Sequence, residues 1–385
     1  MNVSYVYHTD WDPARPHGKQ IIHTINGLAN QENKISLFTP AAPNQFLDEN
    51  QVDLNANIQT LPTARVNAYA GRFDNYSRKY IDQFTYYMFA TFASVRQDLI
   101  FTRDFRYLKF LQYLPSSLYP PVLYEAHQCY SGYDEFSKKE EYTRLQEADR
   151  IITQSPGVAK DIRALGIEVA EVIPNAAPQS FVPEEPQAEL RDQYGFNQES
   201  TVIIYAGSFS QWKNDLELVV DAVSKLVTDD TNDATNIELA FVGGTDEEVK
   251  ELAEYCNTIL PDSIRCHLFG RVPHRSVFRY LKAADIGVIP LRKTSQEATE
   301  YTCPIKLFEY LVSGLPVVSS NVPSINLLCD SEDPVSTYTP GDSTAFAQAV
   351  RDAMKETSSS VETSKYTYEN RAKRLNEHLQ ATTSK

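Results

Sequence analysis

The sequence predicts an α/β protein of two doubly wound halves, each a parallel sheet covered by helices on both faces. Three observations carry this expectation. Short apolar runs of strand length alternate with stretches of helical periodicity along the whole chain. At 385 residues the chain is too long for one ordinary core, so two domains of similar size are expected. In the later half three successive strand-like runs, residues 202–205, 238–242 and 266–269, stop at the glycine turns Ala206-Gly207-Ser208, Gly243-Gly244 and Gly270-Arg271.

The composition is that of a globular protein: 42% of residues are hydrophobic, enough for two cores, and 23% are charged. A net charge of −15 with a pI near 5.0 argues against a sequence-independent nucleic-acid binder, which needs a cationic surface to displace counterions. The five cysteines, Cys129, Cys256, Cys266, Cys303 and Cys329, lack paired spacing, which suits reduced thiols in a cytosol. Residues 1–20 open with an apolar strand and then turn polar, unlike a signal peptide. No apolar run approaches the ~20 residues of a membrane span. A cytoplasmic protein is expected, soluble or peripheral at the inner face of a membrane.

In the first half, residues 3–7 read as a buried strand, 8–17 as a loop, 18–30 as a helix striped with Ile21, Ile22, Ile25, Leu28 and Ala29, and 35–38 as the next strand. Gly18 allows a ligand close to this first turn, while Pro13 stands where a phosphate P-loop has its first glycine. Asp10-Trp11-Asp12 resembles a metal-binding DxD, but it follows the first strand, where aspartates commonly form turns or caps, so no metal site is expected. Residues 65–96 carry Tyr69, Phe73, Tyr76, Tyr80, Phe84, Tyr86, Tyr87, Phe89 and Phe92 at helical spacing. They suit a core or, alternatively, a surface that touches membrane or acceptor. A strand over 98–101 leads to Arg103 and Asp104, candidates on the acceptor side, and one over 122–124 leads through Glu125 to His127, placed at the ligand crevice. A strand at 150–153, a helix at 155–165 and a strand at 169–173 precede Pro174-Asn175 and a proline-dotted linker. The expected boundaries are a first domain over 1–178, a linker over 179–200, a second domain over 201–360 and a terminal helix over 361–385 that packs on the first domain.

The most informative stretch runs from Ile286 to Ser320. Residues 286–290 and 315–319 suit buried parallel strands, and 304–313 reads as a helix between them, with Thr302 or Cys303 as cap, Pro304 at its first position and Gly314 past its end. Free backbone N–H groups and the dipole make that helix start an anion site, for which a diphosphate is the natural guest. Ile305, Glu309 and Val312 share a face, so Glu309 looks inward where its carboxylate can meet ribose hydroxyls, and Lys306 lies near the helix start. Taken alone, the same pattern fits an ordinary crossover with a surface Lys306–Glu309 pair.

The order of motifs along the chain resembles glycosyltransferase family 4, retaining enzymes of the GT-B fold, in which two Rossmann-like domains face each other. Tyr124 to His127 looks like the family's strand-end histidine, Val172 to Asn175 like its VIPNG segment, and Gly207 to Lys213 like its GxLxxxK turn. Phe241 to Gly244, Phe269 to Val272, Ala284 to Ile286 and Cys303 to Val318 match later landmarks, the last a variant of SPxKLFEYLAxGxPVV, and Tyr366 to Ala372 resembles the YSWExxA terminal helix. By that resemblance Lys213 holds the donor diphosphate and Glu309 the ribose, Arg271 and Val272 meet the base, and amides near Cys303, Ile305, Lys306 and Leu307 cradle phosphate. Gly207, Ser208 and Gly243 line the donor turns, His127 sits beside the sugar, and Gly18 leaves room for both substrates.

Two departures stand out. The family's first acidic position, counted back from Glu309, falls on Tyr301, with Glu300 one place off, and Ser208 stands where an arginine often follows the turn glycine. The resemblance implies transfer from a UDP- or GDP-linked sugar to a glycan, lipid-linked or other hydroxyl acceptor, with retention of configuration and no metal or other cofactor. A sugar-nucleotide epimerase and a non-catalytic sugar-nucleotide binder are the alternatives. Sugar, base and acceptor are not written in the sequence.

Overall fold

The computed structural model describes residues 1–9, 11–12, 16–63, 75–133, 137–229, 236–294, 296–355 and 362–384. Asp10, Pro13, Tyr69 and Phe73 lie outside the described residues, as does the side chain of Tyr76. Two compact units are present, one of Met1–Pro174 with Glu369–Lys385, the other of Asn175–Tyr368.

The first unit is built on seven parallel strands: β1 (Asn2–Val6), β2 (Lys34–Thr39), β3 (Asn57–Thr60), β4 (Leu99–Thr102), β5 (Val122–Ala126), β6 (Arg150–Thr153) and β7 (Glu171–Val172), in the order β3-β2-β1-β4-β5-β6-β7. The inner strands β4 and β5 are buried at every position, as strands covered on both faces must be. Strand order reverses between β1 and β4, which puts the crevice beyond their carboxyl ends.

The second unit has six parallel strands: β8 (Thr201–Gly207), β9 (Ile237–Gly243), β10 (Arg265–Phe269), β11 (Ile286–Ile289), β12 (Val317–Ser320) and β13 (Val335–Tyr338), in the order β10-β9-β8-β11-β12-β13. One core runs through Ile203, Tyr205, Phe241, Val288 and Val318 on the sheet and Val219, Val223, Phe346 and Val350 on the covering helices. The reversal here falls between β8 and β11.

Residues 179–200, expected as a linker, are folded into this unit. They hold a 3-10 turn at Gln179–Phe181 and a helix at Gln187–Tyr194 whose Arg191 is buried and donates to Ala283 O at 3.0 Å and Gln198 O at 2.8 Å. The last helix, Tyr368–Thr383, buries Ala372, Leu375 and Leu379, and nearly all of it belongs to the first unit. Among the described residues no helix is long and apolar enough to cross a membrane.

Candidate functional site

In the second unit the chain leaves β8 toward Lys213 and β11 toward the Ile305–Val312 helix, so both arrive at the reversal point. Lys213 Nζ donates to Thr302 Oγ1 at 3.1 Å, just ahead of that helix. Lys306 Nζ donates to Tyr205 OH at 2.7 Å and stands 4.0 Å from the centroid of its ring. Burial, and next the neighbouring Lys213 ammonium, push the Lys306 pKa down to about 7 against an upward pull from Glu309.

Gly207 makes this crossing possible: a Cβ there would stand 2.9 Å from Lys306 Nζ and 3.3 Å from Tyr205 OH. Gly243 is required by the backbone, since its φ is +126° and a Cβ would meet Gly207 O at 2.0 Å. Ser208 is exposed, and its carbonyl accepts from Tyr205 OH at 2.6 Å and Asn214 Nδ2 at 3.1 Å.

The helix begins at Ile305 with Pro304 in the cap position and no side-chain cap bond. Neither expected cap serves, because the Thr302 hydroxyl takes Lys213 and Cys303 is held by Asn175, whose N–H reaches Sγ at 3.3 Å and whose Nδ2 reaches the carbonyl at 2.6 Å. Leu307, expected among the donor contacts, is fully buried and its N–H donates to Pro304 O at 3.1 Å. The amides of Ile305 and Lys306 remain as the first-turn donors of the helix.

Glu309 is buried, and its Oε1 lies 2.6 Å from His274 Nε2. His274 starts the His274–Ala283 helix and packs against the rings of Phe181 and Phe278, with centroids 5.5 and 5.7 Å away. Arg271, exposed, and Val272, half-buried, lie between β10 and this helix. Tyr301 is a core residue, 1% exposed, with Gln296 Nε2 at 3.3 Å from its hydroxyl, while Glu300 is half-buried. The position of the family's first carboxylate is thus filled by packing.

In the first unit His127 follows β5 and meets Arg103, which follows β4, with Arg103 NH2 2.9 Å from His127 Nδ1. A guanidinium can only donate, so Nδ1 accepts and the neutral ring carries its proton on Nε2. Burial and the Arg103 charge push the His127 pKa down to about 4, with Glu125 pulling the other way from 3.4 Å. His127 is therefore neutral near neutral pH, with its Nε2–H buried and turned toward the Glu125 carboxylate. Burial alone would raise the Glu125 pKa, but Arg371 of the terminal helix pairs with it and holds it well below the carboxylate range. Arg371 also donates to Thr24 Oγ1 at 3.0 Å and Pro174 O at 2.9 Å.

Two expected residues of this unit do other work. Asp104 caps the Phe105–Leu111 helix: Oδ1 accepts from Arg106 N at 3.1 Å and Oδ2 from Tyr87 OH at 2.6 Å, which leaves a carboxylate 3% exposed and committed to the fold. Gly18 lies inside the Pro16–Ala29 helix, and the room expected for a ligand is filled by Phe46, whose Cε2 would stand 2.5 Å from a Cβ. Of the aromatic stretch, Tyr86 and Tyr87 are core, whereas Tyr80, Phe84, Phe89 and Phe92 are exposed.

His274, Tyr205 and Thr302 were not singled out by the sequence as site residues. The dipeptide Pro273-His274 directly after Arg271-Val272 was the available signal for the first.

Two Rossmann-like units, each matched by a glycosyltransferase family model, identify a glycosyltransferase of the GT-B fold. The family model described as Glycosyltransferase Family 4 matches residues 17–179, and the one described as Glycosyl transferases group 1 matches residues 200–356. The putative teichuronic acid biosynthesis glycosyltransferase TuaH of Bacillus subtilis is 32% identical over 92 residues, which span 24% of this chain and 19% of that relative. The crystal structure of Anabaena HepE in complex with UDP superposes with a TM-score of 0.70 at 16% identity, covering 99% of this chain and 100% of HepE. Sucrose-phosphate synthase from Thermosynechococcus elongatus gives 0.64 at 18% identity, covering 100% and 96%. At such identities the likeness speaks for the fold.

Proposed function

We propose that the protein transfers a sugar from a UDP-linked donor to a hydroxyl acceptor with retention of configuration. The observation that carries this reading is the convergence of Lys213 and Lys306 on the start of the Ile305–Val312 helix. When the anomeric C–O bond breaks, negative charge grows on the departing diphosphate, and two ammonium groups and two amides act on that charge. Glu309 binds the ribose, the Arg271-Val272 backbone the base, and His127, held neutral between Arg103 and Glu125, sits beside the sugar. The acceptor attacks from the face the diphosphate leaves, and the departing phosphate takes its proton. UDP is favoured over GDP because solved HepE structures hold UDP and UDP-glucose. A thermal-shift panel of nucleotide sugars tests the donor, since a true one stabilises the fold by mass action. Proton NMR of the product tests the stereochemistry, and an inverted anomer overturns it.

The acceptor is lipid-linked in this reading, with the enzyme peripheral to an anionic bilayer. Ile81, Phe84, Met88, Phe92 and Val95 form one exposed stripe on the Asn75–Ser94 helix and the residue after it, Phe92 being 81% exposed, opposite the buried Tyr86, Tyr87 and Ala90. Residues 75–118 hold six Lys or Arg against three Asp, a net of +3 in a chain of net −15. The exposed apolar face, on a sequence segment of net positive charge, is what supports an anionic membrane surface. The protein is expected to sediment with phosphatidylglycerol vesicles, and Phe84→Ser with Phe92→Ser to stay in solution. Wild type that ignores the vesicles, or dimerises through this face, overturns this part.

A further inference from the structure

We infer that His274 is a positioning residue that aims Glu309 at the donor ribose and so sets the preference for ribonucleotides. The inference rests on the donor reading above. An ionised carboxylate can only accept, so the 2.6 Å contact has His274 Nε2–H donating to Glu309 Oε1. An ionised carboxylate has about four lone-pair sites on two oxygens, and the bond from His274 fixes the plane in which those of Glu309 face. The imidazole is itself immobilised: it is 2% exposed, lies edge-on to Phe181 and Phe278, and Phe181 is in turn covered by the Arg275 guanidinium 4.6 Å from its centroid.

The place of His274 in the chain matters as much as its contact. It follows Arg271, Val272 and Pro273, the segment that runs from β10 into the His274–Ala283 helix. The backbone assigned to the base is therefore joined through one buried side chain to the carboxylate assigned to the ribose, on an element distant in sequence. Pre-orienting a flexible glutamate lowers the ordering cost of binding, and supporting bonds of this kind position the group that touches ligand.

The test is calorimetric binding of UDP and 2′,3′-dideoxy-UDP to wild type, His274→Phe and His274→Gln. Phenylalanine keeps a flat ring against Phe181 and Phe278 but cannot donate, and glutamine keeps an N–H near the Nε2 position. Wild type is expected to prefer UDP by roughly tenfold or more, the worth of hydrogen bonds to a charged group. His274→Phe should bring the ratio toward one while leaving dideoxy-UDP affinity within about twofold, and His274→Gln should restore much of it. An unchanged ratio in His274→Phe, or a loss that His274→Gln fails to rescue, overturns the inference and leaves the donor reading standing. Wild type that binds neither UDP nor GDP overturns both, and if GDP alone binds, the guanosine pair replaces the uridine pair with the same expectations.

Discussion

Lys306 is the residue on which pH should act. A lysine is ordinarily charged near neutrality, but this one sits at about 7 because burial, then Lys213, disfavours its ammonium. A bound diphosphate reverses that balance, so its binding takes up a proton wherever the free lysine is neutral, and affinity falls as pH rises above 7. The loss is expected to approach, at most, about tenfold per pH unit for the one proton linked. Calorimetry of UDP-glucose binding in buffers of different ionisation enthalpy should show proton uptake at alkaline pH in wild type and none in Lys306→Met. Equal uptake in both would assign the proton elsewhere. At this scale the sequence put His127 at a strand end, because a parallel sheet sends its carboxyl ends to the ligand, and Glu309 on the inward face of its helix, while the role of Lys213 came from the family resemblance. It did not reveal that Asp104 is a helix cap, since a polar residue just past a strand suits either task. Nor did it reveal His274, because its pairing with Glu309 joins two helices that no local pattern connects.

The strand-end glycines belong to the scale of elements. Gly243, expected to line a donor turn, lies against the neighbouring strand end, where a Cβ would meet Gly207 O. Gly243→Ala must relieve a 2.0 Å contact at a φ of +126°, and it should lower stability by about 2–3 kcal/mol in urea unfolding. A loss within about 0.5 kcal/mol would show that the strand ends yield easily. Buried central strands were readable from their apolar runs. The edge strands β3 and β13 were not singled out, since exposed or half-exposed polar residues such as Asn57, Gln59 and Ser336 carry no comparable signal. The terminal helix was legible only as a resemblance, and its anchor is the buried Arg371–Glu125 pair. Arg371→Met strands that carboxylate and should cost about 3–5 kcal/mol, read from the urea midpoint.

On the scale of the whole molecule the sequence gives two nucleotide-type folds, and each unit matches a glycosyltransferase family model. Neutralisation of the leaving diphosphate is assigned here to Lys213, Lys306 and the helix amides, so turnover should persist within about twofold in excess EDTA, and its collapse would assign that charge to a metal. The most direct test is release of UDP from UDP-sugars by wild type and Lys213→Ala, measured at saturating donor. Wild type should turn over at least one donor, and the variant should fall by roughly 10²-fold or more. Equal turnover by the two proteins would contradict that role of Lys213.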